Sequence, residues 1–286
     1  MAKRGIDIAK WNTIYNWETV KNQVDFAILK IINQQCKMDD KFQSHLAGCK
    51  SVGLPIYGVY NYSYATTVAK AQADAKTVVK YLQENNLFTA VWLVIEDSCQ
   101  KKLGKSLINI ILAYKEVITK AGYPFGVYTG QSFYNSYIKP YQSYILDIPM
   151  WPARYYAGNT PFYATSPINE SKKPAILNIV GWQYTSKGQI AGIAGNVDLN
   201  EFYCEIANCI VDNSLNKINL DSIYYPACHE TETSLIRGLA GVGEKDTSAA
   251  HRTKIANANG IKPYLRTASQ NIKLLNLLKQ GKLIKA

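Results

Sequence analysis

The residues Trp92-Leu93-Val94-Ile95-Glu96-Asp97 form an apolar run that ends in two carboxylates, and of all the stretches in the chain this one is the best placed to do chemistry. Successive side chains of a strand face opposite ways, so Trp92, Val94 and Glu96 share one face while Leu93, Ile95 and Asp97 share the other. If Leu93 and Ile95 pack beneath covering helices, Glu96 points inward at the carboxyl end of a buried strand. Barrel and open α/β enzymes keep catalytic groups there. A carboxylic acid in that place can give a proton to a leaving group. The competing reading is a strand that ends in a solvated acid, and the rest of the chain has to decide.

The elements that would position Glu96 alternate short β-type runs with longer helical ones, the pattern of a parallel sheet or barrel. Arg4 to Ile8 reads as a strand with Asp7 at its exit, Asp25 to Ile32 as a second, and Leu54 to Tyr60 as a third that runs into Asn61-Tyr62-Ser63-Tyr64. The fourth is the Trp92 run and the fifth is Phe125 to Tyr128. Met150 to Tyr155, Ile179 to Tyr184 and Asn196 to Leu199 complete eight. Helical stretches are Asn16 to Lys21, Asp40 to Ser51, Ala65 to Glu84, Leu103 to Ala121 and Ser132 to Ile138. The expectation is an α/β fold, an irregular TIM-like (β/α) barrel with eight strands and about five helices.

Past Phe202 the texture changes. Glu205 to Ile210 could close the barrel as a helix, and Asp212 to Lys217 is polar and linker-like. Ser222 to Pro226 restarts a strand, and Thr233 to Ala240, Ala249 to Asn259 and Ser269 to Lys279 read as helices, the last two stopped by Gly260 and Gly281. The division expected is a barrel over residues 1–211, a linker over 212–219 and a small helix-rich α+β domain over 220–286. From Ile218 onward ten Lys/Arg face five acids, and from Ile261 six Lys/Arg face none. Such an end is either a basic recognition surface or a solvated helix face.

With 286 residues, 47% of them hydrophobic, the chain can build a sizeable core. It has no apolar run of the roughly 20 residues that a membrane span needs, and Met1-Ala-Lys-Arg leads into Gly5-Ile-Asp-Ile without a signal-peptide core. The expected residence is a host cytoplasm until a separate membrane-permeabilising protein releases the chain. Six scattered cysteines and three histidines suggest neither a disulfide frame nor a zinc site, so no metal or cofactor is expected. A net charge of +11 favours an anionic partner without choosing among nucleic acid, membrane and cell-wall polymer. The lack of a recognisable motif or aromatic-basic platform argues against nucleic acid.

Gly5-Ile-Asp7-Ile, Leu54 to Tyr60, Leu93-Val-Ile-Glu96, Gly126 to Gly130, Trp151 to Tyr155, Trp182-Gln-Tyr-Thr185 and Asn196 to Phe202 together resemble glycoside hydrolase family 25, the barrel lysozymes of phages and bacteria. The likeness covers about residues 1 to 210. It implies cleavage of the β-1,4 bond between N-acetylmuramic acid and N-acetylglucosamine in peptidoglycan. In that reading Glu96 is the general acid, and Asp7 and Asp198, at the exits of the first and last strands, stabilise positive charge. The family's fourth strand carries Asp-x-Glu, whereas this chain has Val94 where that Asp belongs. Valine supplies neither nucleophile nor charge, and Asp97 lies on the other strand face. Two readings stay open: a lysozyme inactivated or attenuated at Val94, and a non-catalytic peptidoglycan-binding protein on the same scaffold.

Saccharides offer apolar C–H faces that stack on rings and hydroxyls that take hydrogen bonds. Tyr62, Tyr64, Arg154, Trp182, Gln183 and Tyr184 are the expected substrate-binding residues, since all lie at strand exits in this reading. Lys254 to Ile261 and Asn276 to Ile284 resemble the cell-wall-binding module of Clostridium phage endolysins. That likeness implies binding to peptidoglycan and its anionic wall polymers, and extends to a homo-oligomer formed through the C-terminal domain.

Overall fold

The computed structural model describes residues 2–156, 161–203 and 225–285. The chain divides into two compact units, Met1–Asn213 and Ser214–Ala286. The segments expected as a closing helix (205–210) and a linker (212–219) lie outside the described residues, as do Cys204, Cys209 and residues 222–224 of the expected C-terminal strand.

In the first unit, β1 (Lys3–Ile8), β3 (Phe26–Ile32), β4 (Ile56–Tyr62), β5 (Val91–Val94), β6 (Phe125–Gly130), β7 (Met150–Ala153) and β9 (Gly181–Gln189) run parallel in that spatial order. The eighth strand, β11 (Val197–Phe202), closes the barrel by pairing antiparallel with both β1 and β9. Its direction corrects the placement of Asp198 at a strand exit. The link from Gln189 to Val197 is too short for a crossover, so the chain can only turn back, and Asp198 falls at the start of its strand. Reversal brings it to the same end of the barrel as the exits of the parallel strands. Three short strands add to these eight: β2 (Thr13–Ile14) pairs with β10 (Ile193–Ala194), and β8 (Phe162–Tyr163) extends β9.

Alternation along the strands makes two cores. Ala27, Leu29, Ile31, Leu93 and Ile95 face outward and pack with the helices, while Phe26, Ile28, Trp92, Val94, Tyr128, Trp151 and Phe202 fill the barrel. Trp92 meets Trp151 edge-on at 5.5 Å and Phe202 at 5.6 Å between ring centroids. The indole needs bare backbone on both sides. A Cβ at Gly126 would stand 2.2 Å from the Trp92 ring, and one at Gly58 would stand 2.6 Å from it.

Among the described residues five α-helices cover this unit: α1 (Trp17–Lys21), α2 (Phe42–Val52), α3 (Val68–Glu84), α4 (Ser106–Lys120) and α5 (Gln131–Phe133), the last running into a π turn, Tyr134–Ile138. In α3 the buried Ala71, Ala75, Val78 and Leu82 repeat at the spacing of one helix face, and the Thr67 hydroxyl caps the first turn by accepting from Lys70 N.

Among the described residues the second unit is helical: α6 (Leu235–Gly241), α7 (Ala249–Ala258) and α8 (Ala268–Lys279). Serine or threonine hydroxyls cap all three, and Thr267 with Gln270 forms a capping box on α8. Leu235, Leu239, Ile255, Leu274 and Leu278 make the centre of its own small core.

Candidate active site

Glu96 follows the end of β5 by two residues and keeps to the inner face that Trp92 and Val94 define. Gly130 N, at the exit of the neighbouring β6, donates to Glu96 Oε2 at 3.1 Å. Burial nevertheless raises the Glu96 carboxyl above its ordinary range, because that bond is outweighed by desolvation and by the negative charges of Asp7 and Asp97. A carboxyl so placed keeps its proton further towards neutrality, as a general acid requires.

Val94, almost fully buried, lies opposite Tyr62 on β4 and Tyr128 on β6. It gives this face a hydrocarbon two residues before Glu96. Asp97 turns away as alternation demands: its side chain caps the 3₁₀ turn Ser98–Gln100 through Cys99 N and accepts from the Tyr62 hydroxyl at 3.3 Å.

Asp7 and Asp198 are direct partners in the β1–β11 ladder. Asp7 is buried, and its Oδ2 accepts from Gln183 Nε2 at 2.7 Å and Asn200 Nδ2 at 2.8 Å. Burial raises its carboxyl to about 6 in spite of those two donors. Asp198 is partly open to the barrel mouth. Burial and the like charges of Asp7 and Glu96 push it to about 8. One end of the barrel thus holds three carboxyls, all shifted upward, so that at neutral pH the group carries protons that separate acids would have lost.

The expected sugar-binding residues divide. Tyr62 and Tyr64 lie half-exposed beside the site with ring centroids 5.0 Å apart, a surface suited to a sugar face. Gln183 points into the barrel and receives the hydroxyls of Tyr128 at 2.7 Å and Tyr155 at 2.5 Å on its Oε1. Trp182 and Tyr184 do not reach the groove. They flank Gln183 on β9, so alternation sends both to the outer core, where neither is exposed and where Trp182 packs against Tyr156 and Tyr184 against Phe162. Arg154 meets β9 through its main chain: its N–H donates to Gln183 O, and its carbonyl accepts from Trp182 Nε1. The residue after it, Tyr155, continues the inward series Trp151 and Ala153 and reaches the site instead.

Sequence reasoning missed Asn200, Tyr128, Tyr155 and Trp151, whose indole donates to Asn200 Oδ1 at 2.9 Å. Asn200 and Tyr155 could have been found by counting two residues along the strand from Asp198 and Ala153.

Residues 6–193 match the family described as glycosyl hydrolases family 25. The chain belongs to this family. It is 25% identical over 203 residues to an autolytic lysozyme of Clostridium acetobutylicum, covering 70% of this chain and 55% of that one. The modular autolysin LytC of Streptococcus pneumoniae, solved with a synthetic peptidoglycan ligand, is similar with a TM-score of 0.59 at 25% identity, over 71% of this chain and 47% of its own length. The catalytic domain of an endolysin from a bacteriophage of Listeria monocytogenes gives a TM-score of 0.57 at 25% identity, over 73% of this chain and 97% of that domain. This chain therefore spans about half the length of its clostridial and pneumococcal relatives, and the shared part is the barrel.

Proposed function

We propose that this chain is a modular, phage-type lysozyme that hydrolyses the β-1,4 bond between N-acetylmuramic acid and N-acetylglucosamine in peptidoglycan, and that Val94 attenuates it. The observation that carries the reading is Glu96, a carboxyl on the inner face at the mouth of a family 25 barrel, raised above its ordinary range by burial and set near the acid pair of the first and last strands. Glu96 protonates the glycosidic oxygen as the bond breaks. The acid pair supplies negative charge near the developing oxocarbenium ion, and water completes hydrolysis. Tyr62 and Tyr64 offer rings to the glycan. Residues beyond the barrel form a wall-binding module drawn to peptidoglycan and anionic wall polymers, and the chain waits in the host cytoplasm until the membrane is permeabilised.

Val94 favours a second reading, a peptidoglycan-binding protein without catalysis, because the fourth strand lacks the carboxylate that family members carry beside the acid. Purified cell walls separate the two. Turbidity clearing together with new reducing ends on muramic acid, both lost in Glu96→Gln, supports the lysozyme; binding without new reducing ends, unaltered by that substitution, supports the second reading.

A further inference from the structure

The two acids of the β1–β11 ladder are held unequally. The Trp151 indole nitrogen is only a donor, so the Asn200 atom that it meets must be the carbonyl Oδ1, and the Asn200 amide N–H₂ is thereby aimed at Asp7. Gln183 is oriented in the same sense. The Tyr128 and Tyr155 hydroxyls converge on its Oε1 and leave Nε2 to donate to Asp7. Two amides, met from behind by Tyr128 of β6, Trp151 of β7 and Tyr155 just past β7, thus place two N–H donors on one oxygen of Asp7. That oxygen has no room for a proton. Among the described residues no side-chain donor reaches the Asp198 carboxyl, which sits directly across the ladder and opens to the mouth.

Like charges facing each other across a strand pair repel, and two largely buried carboxyls so placed hold one proton between them. The charged groups acting on Asp198 are Asp7 from β1 and Glu96 from the exit of β5, both acidic. Its other neighbour, β9, sets the neutral Thr185 and Gln183 opposite Leu199 and Asn200, with Lys187 two residues past Thr185. Tyr60 of β4, Tyr128 of β6 and Tyr155 just past β7 feel the same acids and stay un-ionised. Asp39 also acts on Tyr60, and inward-facing Lys30 of β3 answers first to burial and then to Asp39.

We propose that the Trp151–Asn200 and Tyr128/Tyr155–Gln183 locks put the pair's negative charge on Asp7 and its proton on Asp198, so that Asp198 meets substrate as a hydrogen-bond donor to the acetamido carbonyl of an N-acetyl sugar. The proposal rests on the peptidoglycan reading and gives the two acids separate tasks. Asp7 is the charge that steadies a cationic transition state, at a place where Val94 provides none. Asp198 positions the sugar. Asn200, Gln183 and Trp151 are positioning residues that act through Asp7.

Carboxyl ¹³C-labelled aspartate in the full chain reads the proton directly, without any sugar. Asp7 should ionise first and Asp198 last, above pH 7, and Trp151→Phe, which frees the Asn200 amide, should move the Asp7 step upward. Ionisation of Asp198 before Asp7, or of both below pH 5, overturns the proposal. Binding of an N-acetylglucosamine tetramer reads the donor. Affinity should hold from pH 5 to 7 and fall as Asp198 loses its proton. Asp198→Asn, whose amide also donates, should bind within about 2-fold of the parent at pH 6 and lose that pH dependence, whereas Asp198→Ala should bind about 2- to 10-fold more weakly, the worth of one hydrogen bond. Equal weakening by Asn and Ala overturns the donor role. A tetramer that fails to bind while the two titration steps stand as expected removes the sugar contact and with it the peptidoglycan reading, but leaves the proton assignment in place.

Discussion

Tyr62 lies directly opposite Val94 in the β4–β5 ladder, and its hydroxyl extends to Asp97 beyond the strand end. A hydrocarbon therefore occupies the seat between the phenol that meets Asp97 and the candidate acid Glu96. Valine and aspartate have nearly the same shape, so a carboxylate fits there without repacking, and its costs are electrostatic.

Val94→Asp should raise wall lysis strongly. Preorganised charge at a reacting centre is worth about 3–4 kcal/mol, or on the order of 10²–10³-fold in rate. The added like charge should also lift the Glu96 carboxyl further and move the alkaline limb of activity to higher pH. Equal clearing rates for the two proteins, measured on the same purified walls, would show that position 94 plays no part in turnover.

Adding Glu96→Gln to Val94→Asp should remove about 10²–10⁴ of that activity, because the amide keeps the shape and has no acidic proton. The Gly130 N–H that meets Glu96 Oε2 can still be satisfied by the amide oxygen, so thermal unfolding should barely change. A loss below about tenfold would move proton transfer to another residue.

Stability should depend on pH through the same acids. The folded carboxyls of Asp7 and Asp198 stand at about 6 and about 8, above the 3.8 of the unfolded chain, so folding favours their protonated forms. Their contribution is complete below about pH 4 and is lost as pH rises through 6 to 8. Melting temperatures of the parent and of Asp198→Asn, which does not titrate, should diverge over that interval with the parent falling faster. A constant difference from pH 4 to 9 would contradict this linkage.

Much of the barrel was legible because β5 advertises its two faces. Leu93 and Ile95 alternate with a series that ends in Glu96, and a carboxylate fixes which face is the open one. β9 offers no such mark: Trp182, Gln183 and Tyr184 can each line a groove or a core, and only the alternation of the built strand separates them. Strand direction leaves no trace in a hydrophobic pattern, so β11 read as one more parallel strand. The Trp151–Asn200 bond joins residues 49 apart on strands that do not pair with each other, a contact that local periodicity cannot show.

The Ser214–Ala286 fragment should fold alone and bind clostridial cell walls without lysing them, since its helices are capped and its core is its own. At its small size modest stability is expected. Part of the binding should fade as salt is added, because exposed charges are screened within about 8 Å at physiological ionic strength. A soluble, helical fragment that leaves walls undecorated, beside a barrel that binds as tightly as the full chain, would exclude a targeting role.

The bond from Asn200 to Asp7 spans 193 residues of chain. Every parallel strand can be laid down as it is synthesised, yet β1 keeps an open edge until β11 arrives to cover it. Closing so long a loop before any reward is slow, and the first strand waits longest. Asp7 receives its Asn200 donor, and Asp198 its opposite number, only at that last step. A nascent or truncated barrel that ends before β11 thus carries Glu96 and Asp7 without Asp198 and Asn200, and the three carboxyls come together only when translation has passed the end of the barrel.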